Sequence, residues 1–190
     1  VFTPPQAPVD PVDPVDPVDP VDPVDPIAPI DTIDPVEPVD FVEDPARPWE
    51  RLVTESVGFG SATRGGLGGE LCTVTNLEDS GSGSLRSCAE EGTAPSNARW
   101  VRFDVSGVIR LQTPIRVASR TTIDGRGQSI TLTKFGLAIS RVEHVIVHNI
   151  ELRDIDGTDE SDAIQVNESS NVWIDHVSLA RATDGLIDIV

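Results

Sequence analysis

Short apolar runs separated by polar turns dominate the chain from Trp100 to Val190. Within these runs β-branched residues alternate with polar ones or fill the run, as they do in strands. No part of this region has apolar residues at helical spacing over a useful length. The runs are WVRFDV, VIRL, PIRV, TTIDG, SITLT, GLAI, HVIVHNIEL, AIQV, NVWIDHVSL and GLIDIV. The pattern predicts an all-β fold.

The runs repeat with a period in the low twenties. Four of them align in steps of 22, 27 and 23 residues through Ile115, Leu137, Ile164 and Ile187. The 22-residue step also superposes Ile123 on Val145. The 27-residue step superposes three further pairs, Val145 on Val172, Ile150 on Val177 and Leu152 on Leu179. Such a period, with three short strands in each turn, is typical of a parallel β-helix, whereas the Asn or Cys motif of leucine-rich repeats is absent.

The first 50 residues have a different composition. Six PVD triplets follow one another from Pro8, and residues 1–50 hold 14 of the 16 prolines. They also hold 13 acidic residues against one basic residue, Arg47, which gives a net charge of −12. Proline at every third position prevents helix and sheet and matches the three-residue turn of polyproline II. We therefore expect a disordered, acidic Pro/Asp-rich linker over residues 1–50 and one globular domain over residues 51–190.

A glycine-rich segment, residues 58–92, follows the linker. It lacks GKS or GKT, and no apolar strand precedes it, which argues against a phosphate-binding loop. The pattern predicts a strand, Leu71–Leu77, and after a turn a short helix from about Ser84. Ser87 and Glu90 have the spacing of a capping box.

The charge of the chain excludes several classes of partner. The 190 residues carry 32 acidic and 14 basic side chains, a net charge of −18. Binding to the phosphates of nucleic acid or to anionic lipid requires positive charge, so we expect neither partner. The sequence contains no run of about 18 apolar residues, so it predicts no transmembrane helix. The chain has no signal peptide and begins with Val1, so we expect it to be processed or cut from a longer protein.

The longest repeat step contains a loop rich in carboxylates, residues 153–162. Asp162 ends this loop, and Asp184 stands one coil later at the equivalent position to within one residue. Strand alternation places Asp188 on the same outer face, and Glu160 extends the group. Neighbouring carboxylates repel unless a proton or a cation neutralises them, and oxygen ligands without cysteine or converging histidine select Ca²⁺. The residues alone leave two interpretations open, a calcium site and solvated acidic turns.

The order of several motifs resembles a known family. The motifs are GFG with GGLGGE, TVTNLEDSGSGSLR, VRFDVSGVIRL, TTIDGRG, DAIQV, NVWIDHVSL and DGLIDI. In this order they resemble the pectate lyases of polysaccharide lyase family 1, from about Val57 to Val190. The second motif also occurs in other secreted β-helix proteins, whereas the ordered set with WIDH and DGLIDI is more specific.

The resemblance implies a right-handed parallel β-helix with a short N-terminal capping helix, and a primary Ca²⁺ held by acids of two neighbouring coils. Asp162 matches the second of two acids that precede the strand, and Asp184 and Asp188 match the pair on the next coil. Glu160 stands where the first acid would be, so a glutamate there departs from the family pattern. The related pectin lyases, which work without this calcium, would be expected to replace the paired acids.

The implied activity is β-elimination of polygalacturonate, the pectate of plant cell walls, to 4,5-unsaturated oligogalacturonides. Ca²⁺ between protein and substrate carboxylates would act as a Lewis acid and would offset the repulsion between two anions. A polymer substrate of this kind implies a secreted, extracellular protein. We expect it to be a monomer when complete.

The proton acceptor in the family is an arginine on a later coil. We expect it beyond Val190, so no catalytic residue is assigned within this chain. Five arginines match no motif of the family: Arg110, Arg116, Arg120, Arg141 and Arg153. The chain also stops in an apolar strand with an uncapped edge. We therefore expect the N-terminal part of a catalytic domain, inactive by itself because the base is missing.

Three further features are open to two interpretations. His176, with the aligned His144 and Asn171, is either an acid–base relay or a set of turn residues that satisfy backbone groups, and we favour the second. Trp173 is expected to pack in the core rather than to stack on a sugar. Asp175 is expected to orient a turn.

Three other functions remain as alternatives. A polygalacturonase on the same fold would use paired acids and water, but its NTD, DD and GHG motifs are absent from the sequence. A noncatalytic adhesin or carbohydrate-binding module on a β-helix would need no base. A pectin lyase would act on methyl-esterified polymer without calcium.

The two cysteines, Cys72 and Cys88, are either joined by a disulfide or present as two buried thiols. The predicted strand holds the first and the predicted helix the second, and in the family this helix caps the open end of the β-helix. A helix folded over the strand brings the two within bridging range, and closing a loop of this size is worth roughly 3 kcal/mol. We expect a disulfide, in keeping with the secreted setting that a polymer substrate implies.

Overall fold

Short strands of two to six residues make up most of the described chain. A computed structural model describes residues 42–90, 92 and 97–190. Residues 1–41 of the expected linker lie outside the described residues. The strands of the described part are β1 Glu70–Val74, β2 Arg99–Phe103, β3 Gly107–Arg110, β4 Ile115–Arg116, β5 Thr121–Asp124, β6 Ile130–Thr133, β7 Leu137–Ser140, β8 Glu143–His148, β9 Glu151–Ile155, β10 Ile164–Asn167, β11 Ser170–Asp175, β12 Ser178–Ala182 and β13 Ile187–Ile189.

All pairings between these strands are parallel, and they form three sheets. The first sheet has the order β1-β2-β5-β8-β11, the second β3-β6-β9-β12 and the third β4-β7-β10-β13. Each coil contributes one strand to each sheet, so the strands wind into a parallel β-helix of about five coils. The predicted fold class is confirmed.

The predicted register is confirmed on the third sheet. Ile115 pairs with Leu137, Leu137 with Ile164, and Ile164 with Ile187. On the first sheet, however, the alignment of Ile123 with Val145 is wrong, because Ile123 pairs with Val147. Between the third sheet and the first, the chain takes eight residues from Leu137 to Val145 but six from Ile115 to Thr121, which shifts the register of the first sheet by two.

The interior of the coil is filled by the inward side chains of all three sheets. Ile109, Ile123, Leu132, Ile139 and Leu152 are among the side chains with no exposed surface. Their neighbours in each strand point outward, because strand side chains alternate between faces. This continuous apolar column holds the coils in register.

A short helix, α1 Leu85–Ala89, packs at the beginning of the column. It contacts β1, β2 and β4 and buries Leu85, Cys88 and Ala89 in the main core. A disulfide joins Cys88 to Cys72 of β1. The helix and the strand are thus fastened at the point where the first coil begins.

The capping box expected at Ser87 and Glu90 is wrong. Ser84 caps α1, and its Oγ accepts a hydrogen bond from the backbone N–H of Ser87 at 3.2 Å. Glu90 lies at the other end of the helix, where its carboxylate accepts a hydrogen bond from Arg86 at 2.9 Å. Since Ser84 and not Ser87 is the N-cap, the helix begins one helical turn before the predicted capping box.

The chain before β1 covers the outer face of the first sheet. This N-terminal cover, residues 47–69, contains two 3-10 helices, Pro48–Glu55 and Gly58–Gly60. Apolar side chains of the cover and of the sheet form a second buried cluster made of Leu52, Val53, Trp100, Ile146 and Trp173. Trp173 therefore packs in a core as predicted, but in this outer cluster rather than inside the coil.

The cover also approaches the sheet through its backbone. The N–H of Gly66 donates to Thr122 Oγ1 at 2.9 Å. A side chain at Gly66 would meet the carbonyl of Arg99 at 1.8 Å, so only glycine allows this approach. The N–H of Gly68 donates to the buried carboxylate of Glu50 at 2.9 Å.

Corners between strands are built by single residues with positive φ. Arg120, His144 and Asn171 stack at one corner with φ of 56°, 57° and 52°. Asn149 and His176, with φ of 56° and 51°, occupy another. Asn149 and His176 divide the apolar runs HVIVHNIEL and NVWIDHVSL, each of which forms two strands instead of one.

None of the helices in the described ranges has the length and apolar character that a membrane crossing requires.

Candidate metal-binding groove

The outer face of the third sheet carries a row of aligned side chains. Arg116 is aligned with Ala138, Ala138 with Gln165, and Gln165 with Asp188. Their strand neighbours Ile115, Leu137, Ile164 and Ile187 belong to the inward row. Since adjacent strands lie about 4.8 Å apart, the row places an arginine, an amide and a carboxylate in one line across four coils.

A groove runs along this row. Its volume is about 1080 Å³, and its polar lining includes Arg116, Ser140, Arg141 and Gln165. A neighbouring cavity of about 220 Å³ is lined by Phe135, Glu160, Asp162 and Gln165 among others. Because Gln165 borders both, the groove leads directly to the acidic loop.

Two of the four predicted acids, Glu160 and Asp162, line the cavity at one end of this groove. Asp162 precedes β10, and its Oδ1 accepts a hydrogen bond from the N–H of Gly185 on the next coil at 2.7 Å. Asp188 lies in β13 on the outward row, and Asp184 and Glu160 have exposed side chains. Asp162 and Asp188 therefore come from two adjacent coils and lie close to Gly185, between them.

The acidic loop is tied to the following coil by hydroxyl groups. Ser161 donates its backbone N–H to Thr183 Oγ1 at 3.2 Å, and this hydroxyl donates to the carbonyl of Thr158 at 2.6 Å. Thr158 in turn donates its N–H to Ser161 Oγ at 2.9 Å. The Asp184 N–H donates to the carbonyl of Ser161 at 3.3 Å. The backbone that carries the acids is thus fixed, while the exposed side chains can rotate.

The four acids do not form a closed ligand set. Among the described residues, the one group of three whose ligand atoms all lie within 4.8 Å of one another is His148, Asp175 and His176, on the first sheet. The donor chemistry of the acids nevertheless fits a hard cation, since all four offer carboxylate oxygens and no nitrogen or sulfur. The calcium site stays a prediction, and it requires the exposed carboxylates to turn toward Asp162.

Arg116, Arg141 and Gln165 were not assigned a role from the sequence. Arg116 and Gln165 occupy the middle positions of the aligned triplets Ile-Arg-Val and Ile-Gln-Val, whose outer members point inward. Strand alternation therefore contained the signal that both face outward. Arg141 lies at a corner with positive φ, and its Nε donates a hydrogen bond to Glu168 at 3.0 Å. The apolar pattern of the sequence does not predict where a corner residue lies.

The suspected acid–base relay is not assembled. Asn171 and His144 lie at the first corner of β11 and β8, whereas His176 follows the last residue of β11. Five strand residues, roughly 16 Å, separate Asn171 from His176. His144 Nδ1 accepts a hydrogen bond from the N–H of Arg64 at 3.2 Å, which supports the favoured interpretation of turn residues that satisfy backbone groups.

Comparison with known families identifies relatives over the β-helical part. The profile of the family described as pectate lyase matches residues 92–184. Pectate lyase 5 of Ambrosia artemisiifolia is 36% identical over 149 residues, which are 69% of this chain and 38% of that protein. Pectate lyase 1 of Juniperus ashei is 33% identical over 159 residues, 73% of this chain and 43% of that protein. The chain thus spans less than half the length of these relatives.

A solved structure shares the fold. The crystal structure of jun a 1, the major allergen from cedar pollen, superposes with a TM-score of 0.67 at 32% sequence identity. The superposition covers 77% of this chain and 48% of the allergen.

Proposed function

Because the β-helical part of this chain belongs to the pectate lyase family, we propose that it forms the calcium site and part of the sugar groove of a calcium-dependent pectate lyase. The substrate is polygalacturonate, and the reaction is β-elimination to 4,5-unsaturated oligogalacturonides. The observation that carries this proposal is the groove on the third sheet, which runs along an outward row and ends at acids of two adjacent coils.

Asp162, Asp184 and Asp188 would hold the cation, with Glu160 beside them. When bound, Ca²⁺ would neutralise these carboxylates, coordinate a uronate carboxylate and acidify the adjacent C–H of the sugar. The chain's own part is to present the acids from a rigid loop: the Gly185 N–H fixes the carboxylate of Asp162 at 2.7 Å. This bond engages Oδ1 of Asp162, so Oδ2 would be the oxygen available to a cation.

Arg116 and Gln165 would bind the polymer along the row that leads to the acids. A guanidinium pairs with a carboxylate through two parallel hydrogen bonds, and an amide can donate to and accept from sugar hydroxyls. Polygalacturonate is a polyanion and the chain has a net charge of −18, so the two repel each other overall. Attraction between them therefore has to come from positive charge in the groove itself. Arg116 in the groove supplies it together with the cation. No residue of this chain is assigned as the proton acceptor.

A secreted setting agrees with two features. The substrate is an extracellular polymer, and the Cys72–Cys88 disulfide persists in an oxidising compartment. We infer that the protein acts outside the cell on plant cell-wall pectate, as a monomer.

Calorimetry with Ca²⁺ on the full chain tests the proposal. We expect binding that weakens at least about tenfold in Asp188→Asn, because a hard cation loses a charged ligand. The matched control is Asp159→Asn, which removes the same charge from an exposed position of the acidic loop, outside the proposed ligand set. Equal affinity of both variants for Ca²⁺ would remove the site assignment.

Polymer binding separates the lyase from its alternatives. A gel that carries the immobilised chain should retain polygalacturonate in the presence of Ca²⁺ and release it when the Ca²⁺ is chelated. The same gel should retain highly methylated pectin poorly. Retention of methylated pectin in the presence of chelator would instead favour a pectin lyase. Retention of pectate that is indifferent to calcium would favour a noncatalytic binding module.

A further inference from the structure

A second group of metal-ligating side chains lies on the first sheet, away from the groove. His148 ends β8, and register aligns it with Asp124 of β5 and Asp175 of β11. His176 follows Asp175 directly. The group His148, Asp175 and His176 uses two of the three histidines of the chain. It joins the same two coils as the acidic groove but on a different face.

The ligand atoms of this group lie close together, and an ion would replace the hydrogen bond between His176 Nδ1 and Asp175 Oδ2. Asp175 Oδ2 lies 2.5 Å from Nδ1 of His176 and 3.2 Å from Nδ1 of His148. One ligand atom from each residue lies within 4.8 Å of both others. Ligand atoms of a tetrahedral ion are about 3.4 Å apart when each lies about 2.1 Å from the metal. Small side-chain movements therefore suffice to enclose an ion.

One ligand atom is buried and lacks a hydrogen bond. The His148 residue is 5% exposed, and its Nδ1 has no hydrogen-bond partner in the described structure despite the nearby Asp175 carboxylate. A buried polar atom without a partner costs about 1–3 kcal/mol, so it usually has a function. The ring is held in this orientation by stacking on Trp173, with ring centroids 5.9 Å apart.

The local charges permit a cation. Arg126 is the nearby positive group, and its guanidinium is paired with Asp124 at 2.8 Å. A neutral imidazole carries a lone pair on one ring nitrogen, which a metal can accept.

We propose that His148, Asp175 and His176 bind a Zn²⁺-type divalent cation. Two imidazole nitrogens and one carboxylate suit zinc and its neighbours, whereas Ca²⁺ takes oxygen ligands alone. Three protein ligands leave a position for water. The ion ties the corner after β11 to β8 of the preceding coil, beneath the edge of the N-terminal cover. This proposal does not depend on the proposed lyase activity.

The test is Zn²⁺ titration of the full chain by calorimetry, with His176→Asn as the variant. His176 has φ of 51° at a corner where the preceding coil has Asn149, so asparagine fits the backbone. The matched control is His144→Asn, because His144 has φ of 57° and the next coil has Asn171 at its position. Co²⁺ substitution adds a spectroscopic readout, since d–d bands report nitrogen ligands.

We expect one Zn²⁺ per chain, binding weakened at least about tenfold in His176→Asn, and unchanged binding in His144→Asn. Asp175→Asn, which keeps the shape of the side chain, should weaken binding as well. Circular dichroism of the metal-free variants verifies that each is folded. Binding of Zn²⁺ that is equal in the two histidine variants, or no binding to the wild-type chain at millimolar Zn²⁺, would overturn the proposal.

Discussion

Asp124 joins the β-helix to its N-terminal cover, and its replacement tests how the cover is held. The carboxylate is 1% exposed. It accepts hydrogen bonds from Trp100 Nε1 at 3.1 Å and from Arg126 Nε and Nη2, both at 2.8 Å. Nη2 of Arg126 also donates to the carbonyl of Trp49 in the cover at 2.8 Å. Arg126 therefore bridges the buried acid and the cover.

The substitution Asp124→Asn keeps the shape of the side chain and removes its charge. The amide oxygen still accepts one hydrogen bond from Arg126, but the amide NH2 group is a donor and cannot accept the other. A hydrogen bond to a charged group is worth about 1.5–3 kcal/mol when formed. Water recovers part of this, because the Arg126 side chain is 32% exposed. We expect the free energy of unfolding to fall by about 3 kcal/mol. For a chain of this size the melting temperature should fall by about 6–12 °C.

Urea unfolding followed by circular dichroism measures this loss. Asp154→Asn is the matched control, since Asp154 pairs with Arg181 at an exposed position and its removal should leave the urea midpoint nearly unchanged. Hydrogen exchange locates the effect: the Gly68 amide, bonded to Glu50 of the cover, should exchange faster in Asp124→Asn. Stability within about 0.5 kcal/mol of the wild type would refute the bridge. An unchanged Gly68 amide would refute its role in holding the cover.

Two further predictions concern bonds of the same fold. Replacing Cys72 and Cys88 by alanine should lower the free energy of unfolding by about 3 kcal/mol, since the disulfide closes a loop of sequence separation 16; urea unfolding with and without reductant measures this, and wild-type protein unaffected by reduction would contradict it. Burial raises the pKa of Asp124, but Arg126 and Trp100 outweigh it and lower the pKa below the usual 3.8. The stabilisation is thus complete above that pH and lost as pH falls through the lowered value, so acid should cost Asp124→Asn less stability than wild type.

The register of the β-helix was readable from the sequence because burial follows a period of two within each strand. Ile115, Leu137, Ile164 and Ile187 fill one inward row, and any shift by one residue would turn them outward. The error at Ile123 arose between the third sheet and the first, where one coil has two residues more than the coil before it. The pattern of buried side chains does not reveal these two residues. Corners are set by single residues with positive φ, such as His144 and Asn149, which leave no mark on the apolar pattern.

The N-terminal cover was missed although the sequence contained a sign of it. Val145, Ile146 and Val147 are consecutive apolar residues and all three are buried. A strand with one wet face would alternate, so an unbroken apolar run indicates that both faces are covered. To predict that Leu52 and Val53 cover this outer face, one would need the path of the glycine-rich segment in the folded chain. Local sequence patterns do not specify that path.

The candidate sites were readable to different degrees. Strand alternation was enough to place Asp188 on the outer face, and register placed Asp162 beside it on the preceding coil. The proposed convergence of the four carboxylates on a cation depends on side-chain torsions, which the repeat does not specify. The 27-residue step also aligns His148 with Asp175, but the apolar pattern gave no reason to examine a position at the end of a strand.

The two proposed metal sites follow from one property of the architecture. A coil presents one strand to each of three faces, so stacking two coils brings side chains together on every face at once. Coils β8-β9-β10 and β11-β12-β13 thereby place carboxylates on the third sheet and imidazoles on the first. Oxygen donors select Ca²⁺ and imidazoles select Zn²⁺, so the two proposed sites would bind different ions without competing. Because the sites share backbone but no side chain, Asp188→Asn should leave Zn²⁺ affinity intact and His176→Asn should leave Ca²⁺ affinity intact, provided the stack itself is undisturbed.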